Sequence, residues 1–133
     1  MALTSGGRIL IIEDEADLAL ALKARLESAG YEVHTECNGS VALSYATEHW
    51  PDLAILDATL PDLEGYEVCR ELHNLCEACV VPVVMFTGRD EPSDELRGFT
   101  SGAEAYLTKN VTPTQLLDTV EMVLQDVGNP VIG

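Results

Sequence analysis

Basic residues are scarce in this chain. Lys and Arg number 7 against 23 acidic residues, for a net charge of −16. Such a surface repels nucleic-acid phosphates and anionic lipid headgroups, so neither is expected as a partner of this domain. No apolar run approaches the roughly 20 residues that cross a bilayer as a helix. The start, Met1 to Gly7, lacks the basic residues and long apolar stretch of a secretory signal, so the expected location is the cytoplasm. The 4 cysteines are irregularly spaced. Without a secretory signal they read as free thiols, not as a disulfide framework. Aromatics make up only 5% of the residues, so the core must be mostly aliphatic. There is no internal repeat and no low-complexity stretch.

What the chain does have is apolar content of 47%, too much for a disordered segment, in 133 residues that suit one domain. Short aliphatic runs, among them Ile9–Ile12, Leu53–Leu56, Val80–Phe86 and Ala105–Leu107, alternate with helix-like segments. Runs of this length bounded by polar residues read as buried parallel strands. The pattern predicts strands at 8–12, 31–37, 53–57, 81–87 and 105–108, and helices at 15–29, 40–48, 64–75, 93–101 and 113–127. Such alternation implies an α/β fold, with right-handed crossovers and helices on both faces of a parallel sheet. Leu18, Leu22, Leu26 and Ala29 share one arc of the first helix, and Gly30 ends it. Asp14 or Glu15 can satisfy its first free amides. Thr112 and Pro113 supply the N-cap and first residue of the last helix. Leu116, Leu117, Val120, Val123 and Leu124 form its apolar face. A flexible segment is expected at 1–7, the folded domain at 8–127 and a loose tail at 128–133.

Glu13, Asp14, Asp57, Thr87 and Lys109 each stand where an apolar run ends. In an open parallel sheet the carboxyl ends of the strands share one edge, and ligands bind there. Glu13 and Asp14 would repel each other and Asp57 unless a cation lay among them. Mg2+ favours a few carboxylates, a carbonyl and water; a solvated helix N-terminus is the plainer reading. A carboxylate at a buried strand tip is costly unless paired or metal-bound, and it can attack phosphorus. Asp57 could equally cap the turn that follows. Pro61 and Gly65 turn the chain away from that tip. The Thr87 hydroxyl can bond a phosphate oxygen and Gly88 can permit close backbone approach, although Thr is common in ordinary turns. Lys109 can neutralise a phosphoryl group or form a surface ion pair. Each signal is weak singly; their joint placement on four strand ends is much stronger.

The stretches Ile9 to Glu15, Pro51 to Asp57, Leu60 to Arg70, Pro82 to Gly88 and Gly102 to Lys109 together resemble the response-regulator receiver domains of two-component phosphorelay systems, chemotaxis regulators included. The resemblance covers roughly residues 8–127. It implies a flavodoxin-like, doubly wound sheet of five parallel strands in the order 2-1-3-4-5 with five helices. It implies a signalling module, not an enzyme acting on other substrates. Asp57 would take a phosphoryl group from a histidine kinase or histidine phosphotransfer protein and lose it slowly by its own catalysis. Glu13, Asp14, Asp57 and the main-chain carbonyl of Thr59 would hold Mg2+. Lys109 would pair with phosphoryl oxygens. Thr87 would swing in and Tyr106 turn inward, biasing the helix 4–strand 5–helix 5 surface toward an effector protein or fused output domain.

Two positions depart from the family pattern. Asn110 follows Lys109 where the family usually has proline after a cis peptide, and Val111 stands where an aromatic is common. A cis bond before a non-proline residue costs ~2.5–4 kcal/mol, so the loop is either trans with Lys109 aimed differently or strained. Leu20 lies off the helix 1 stripe, near Lys23, and is the candidate for docking the phosphodonor. Cys69, His73, Cys76 and Cys79 have ligand-like spacing, with free thiols favoured over a metal site. Trp50 is expected to pack; His34 and His49 have no evident partner. The competing functions are a haloacid-dehalogenase-like phosphatase, a flavodoxin-type cofactor binder and a non-phosphorylated pseudo-receiver. The first needs an acid where Thr59 stands, the second a Ser/Thr/Gly cradle where Glu13 to Glu15 stand, and the third is disfavoured by the full acid, Thr87 and Lys109 set. Asp94, Glu95, Glu104, Asp118, Glu121 and Asp126 on the helix 4–helix 5 face, against Arg97 and Lys109, predict a monomer before phosphorylation.

Overall fold

The computed structural model describes residues 7–75, 80–89 and 91–128, with the side chains of 126–128 excepted. Its elements are β1 (Arg8–Ile12), α1 (Ala16–Ser28), β2 (Glu32–Glu36), α2 (Gly39–His49), β3 (Leu53–Leu56), α3 (Gly65–His73), β4 (Val83–Thr87), α4 (Pro92–Thr100), β5 (Ala105–Thr108) and α5 (Pro113–Gly128). The strands form one parallel sheet in the order β2-β1-β3-β4-β5, as the resemblance implied. The N-terminal residues 1–6 and the tail from 129 onward lie outside the described residues. Gly7 accepts a hydrogen bond from the Glu32 N–H at 3.1 Å.

Strand side chains alternate between two cores, because successive residues face opposite sides of a sheet. Leu10, Ile12, Ala54, Leu56, Val83 and Met85 meet Ala42 and Ala46 of α2 and Val68, Cys69 and Leu72 of α3. Ile9, Ile11, Leu53, Ile55, Val84 and Phe86 meet Leu22 and Leu26 of α1 and Leu116, Val120 and Val123 of α5. β1, β3 and β4 are covered on both faces, which explains their unbroken aliphatic runs.

Most local expectations hold. Gly30 has φ +100°, its N–H bonds the Glu27 carbonyl, and the Tyr31 N–H bonds that of Leu26, closing α1 with a Schellman motif. Thr112 Oγ1 accepts from the Gln115 N–H at 3.1 Å while Gln115 Oε1 accepts from the Thr112 N–H at 2.8 Å, a capping box that starts α5. Other expectations need correction. Ala29 is exposed as the C-cap of α1, and Ala19 takes a buried place instead. Glu15 makes no side-chain cap; the carboxylate that accepts the Glu15 N–H, at 3.1 Å, belongs to Glu13. Trp50 is 42% exposed and ends α2 in the left-handed region, φ 47°. It stands at the amino end of β3, away from the strand tips, so its fluorescence is no local reporter of them. His34 and His49 do have a partner. Both stack on Tyr45, with centroids 3.8 and 4.1 Å apart, and His34 Nε2 lies 2.6 Å from Glu36.

Candidate functional site

The carboxyl ends of β1, β3, β4 and β5 lie side by side, and the backbone locks them together. The Asp57 N–H bonds the Ile12 carbonyl at 3.1 Å, and the Lys109 N–H bonds that of Thr87 at 2.9 Å. Asp14, Glu15, Asp57, Thr59, Thr87, Gly88, Arg89 and Lys109 line an open depression of ≈ 310 Å³ at this edge. Glu13 lies beneath them, 3% exposed.

Asp57 is only 4% exposed, yet both its oxygens are engaged. Oδ1 accepts the Thr59 N–H at 3.0 Å, and Oδ2 lies 2.9 Å from Lys109 Nζ. The same ammonium is 3.2 Å from Glu13 Oε1 and 3.2 Å from Glu15 Oε1. Burial alone would lower the Lys109 pKa; the Asp57, Glu13 and Glu15 carboxylates outweigh it and hold the amine well above its usual range. Among the described residues every peptide is trans, so Lys109–Asn110 takes the unstrained form and still brings the amine to Asp57. A bond between the Thr108 hydroxyl and the Asn110 side-chain oxygen, with the Val111 N–H on the Thr108 carbonyl at 3.2 Å, shapes that turn.

Glu13, Asp14 and Asp57 each offer an oxygen, all within 4.8 Å of one another. Burial, and then the neighbouring Asp57 charge, push the Glu13 carboxyl up to about 7. Three acids so placed, one of them resisting ionisation, suit a hard divalent cation with oxygen ligands. Gly65 packs directly against the backbone at the tip of β3. A Cβ there would lie 2.3 Å from the Asp57 carbonyl oxygen and 2.5 Å from Ala58 Cα. A Cβ at Gly88 would meet no protein atom within 4 Å, so close approach there is not to protein.

Thr87 is fully buried, and its Oγ1 accepts the Arg89 N–H at 3.3 Å. Tyr106, implied to turn inward on switching, is already inward: its ring lies against Gly98 and its hydroxyl donates to the Arg89 carbonyl at 2.8 Å. Burial raises its pKa. Leu20 stands apart from this group, 63% exposed on α1.

The sequence reading gave Glu64 and Arg89 no site role and read Glu15 only as a helix cap. Arg89 Nε donates to Thr59 Oγ1 at 3.0 Å and Nη2 to Glu64 Oε1 at 3.0 Å. Its position two residues past the β4 tip, like that of Thr59 past Asp57, is the signal that could have found it. Of the proposed thiol cluster, Cys69 is buried in the core with its thiol pushed up to about 12 by burial, and His73 lies 4.0 Å from Glu104. Cys76 and Cys79 lie outside the described residues.

Known proteins agree with this architecture. The chain is 36% identical over 118 residues to the alkaline phosphatase synthesis transcriptional regulatory protein PhoP of Bacillus subtilis, covering 89% of this chain and 48% of that protein. It is 37% identical over 118 residues to the phosphate regulon transcriptional regulatory protein PhoB of Rhizobium meliloti, covering 89% and 52%. The chain thus spans about half the length of these curated relatives. Among solved structures, a CheY-like response regulator receiver domain protein from Methanospirillum hungatei superposes with TM-score 0.85 at 31% identity, covering 92% of this chain and 96% of that one. The BeF3-activated N-terminal receiver domain of Klebsiella pneumoniae RstA gives 0.83 at 27% identity, covering 90% and 99%. The profile described as response regulator receiver domain matches residues 9–121, and because that match runs from the first strand into the last helix, the chain belongs to this family of two-component signalling modules.

Proposed function

We propose that Asp57 is the phospho-acceptor of this receiver domain, taking its phosphoryl group from a phosphohistidine on a histidine kinase or histidine phosphotransfer protein. One observation carries the reading: a nearly buried strand-tip carboxylate faces an open depression, 2.9 Å from an amine and within an acidic trio. A carboxylate oxygen of Asp57 attacks phosphorus as the phosphorus–nitrogen bond breaks. The electron pair of that bond stays on the imidazole, and an acyl phosphate remains on Asp57. Lys109 turns from carboxylate to phosphoryl oxygens. Thr87 exchanges the Arg89 N–H for a phosphoryl oxygen, donating its own hydroxyl hydrogen.

Glu13, Asp14, Asp57 and the main-chain carbonyl of Thr59 would hold Mg2+. Bound there, the ion would offset the charge of the acids and the incoming group. Slow self-dephosphorylation reverses the state: water attacks phosphorus, the bond to Asp57 breaks with its pair returning to the carboxylate, and the water's proton leaves with inorganic phosphate. Thr87 carries the change to the α4–β5–α5 surface, beside a Tyr106 ring that already lies inward, and an effector protein or fused output domain binds there. Leu20 is the proposed contact for the phosphodonor. Among the described residues no helix is long and apolar enough to cross a membrane, and the cytoplasm is the proposed place of action. The folded unit is proposed as 8–127.

The test is intact mass after incubation with acetyl phosphate, with and without Mg2+. The wild type gains one phosphoryl group only with Mg2+, and Asp57→Asn gains none. Equal labelling of both proteins would sink the assignment.

A further inference from the structure

Lys109 and the Thr87 hydroxyl are the only side-chain donors so far assigned to the phosphoryl oxygens. Lys109 is shared among Asp57, Glu13 and Glu15, at 2.9, 3.2 and 3.2 Å. Phosphorylation adds a further negative group beside it. Among the described residues, one other cation lines the depression, Arg89. It is held to the rim by Thr59 Oγ1 and by Glu64, both at 3.0 Å, and its guanidinium lies 5.5 Å from the Tyr66 ring centroid. Glu64 has a second cation, Arg97 of α4, at 3.6 Å. Losing Arg89 would therefore not leave Glu64 unpaired.

We propose that Arg89 is a second phosphoryl ligand held in reserve by Glu64. This rests on Asp57 being the phospho-acceptor. When the phosphoryl group arrives, the Arg89 guanidinium leaves Glu64 and donates to phosphoryl oxygens, and Glu64 keeps Arg97. The exchange is favourable because the two sites differ in environment. Glu64 is 47% exposed, where an ion pair is weak. The Asp57 side chain that would carry the phosphoryl group is only 4% exposed, and a guanidinium offers a planar fork of five N–H donors matched to phosphate oxygens. The backbone supplies the pivot: the Tyr106 hydroxyl holds the Arg89 carbonyl at 2.8 Å, so the side chain can swing while its main chain stays anchored. No covalent bond changes in this step. Its consequence is regulatory, since the same side chain that reports the phosphoryl group releases the α3 end from the β4–α4 loop.

The experiment is calorimetric titration of the whole 133-residue chain with beryllium fluoride, a phosphoryl mimic, at saturating Mg2+. Mg2+ alone is titrated in parallel, for wild type, Arg89→Ala, Arg89→Lys and Glu64→Gln. The expected result is a loss of about tenfold or more in beryllofluoride affinity for Arg89→Ala, partial retention in Arg89→Lys, and tighter binding in Glu64→Gln, where the restraint is gone. Mg2+ affinity stays within about twofold throughout. Thermal melts accompany each variant, and Arg89→Lys and Glu64→Gln keep the test open if Arg89→Ala folds poorly. Wild-type affinity in Arg89→Ala, or losses in Glu64→Gln equal to those in Arg89→Ala, overturn the proposal alone. If the wild type itself takes up no beryllofluoride, the phospho-acceptor reading falls and this inference with it.

Discussion

Gly65→Ala is the sharpest perturbation the geometry offers. The added methyl carbon would sit 2.3 Å from the Asp57 carbonyl oxygen, 2.5 Å from Ala58 Cα and 2.9 Å from the Ala58 carbonyl carbon. All three are backbone atoms, so no side chain can rotate away to make room. Overpacking typically costs about 1–3 kcal/mol, and a clash with main chain belongs at the upper end of that range. Alanine's better helix propensity returns at most ~1 kcal/mol. The expected net loss is about 1–2 kcal/mol, read as a lower urea midpoint at unchanged slope. The strain also falls on Asp57 itself, so acetyl phosphate labelling should slow beyond what stability explains. Gly88→Ala is the internal comparison: with no protein atom within 4 Å of its Cβ and no positive φ, it should leave the unfolding free energy within about 0.5 kcal/mol of wild type. A Gly65→Ala protein as stable as wild type and labelled at the same rate would refute the packing argument.

Lys109→Ala should weaken beryllofluoride binding while leaving Mg2+ affinity unchanged or higher, because the amine competes for the acids that would hold the metal; calorimetric loss of Mg2+ binding would count against its role. Asp62 caps α2 by accepting the Gly39 and Ser40 N–H groups at 2.8 and 3.0 Å and the Ser40 hydroxyl at 2.6 Å, and the Ser40 hydroxyl and these amides lower its carboxyl to about 2. A depressed pKa stabilises the fold above the ordinary carboxylate range and loses that effect as pH falls through the folded value. The midpoint gap between wild type and Asp62→Asn should therefore be widest near neutrality and close between about pH 4 and about pH 2. The acidic α4–β5–α5 face has Arg97 tied to Glu64 and Lys109 tied to Asp57, so the unphosphorylated chain should scatter light as a monomer at low salt, where screening extends beyond ~10 Å. A stable low-salt dimer disrupted by mutations on that face would contradict the charge argument.

The order of elements, both cores and the position of the acids were legible in the chain, for local physical reasons. Aliphatic runs of strand length can be buried only in a covered parallel sheet, and the two-residue alternation within them assigns each side chain to a face. Gly30 and Thr112 mark helix ends because their backbone and hydroxyl chemistry acts within a few residues. The identities of Glu13, Asp14, Asp57, Thr87 and Lys109 placed them at strand ends, and parallel strands put those ends on one edge. The details that depend on distance through space were not legible. Nothing in the order of residues shows that Gly65 abuts the Asp57 backbone, that Arg89 spans from Thr59 to Glu64, that Tyr106 is already inward, or that a trans Lys109–Asn110 peptide still delivers the amine to Asp57. Those contacts join segments up to 96 residues apart, as Lys109 to Glu13 does. Local sequence chose the elements because helix and strand preferences are short-ranged; only the folded sheet could choose the partners, because side-chain contacts at its edge depend on how those elements pack.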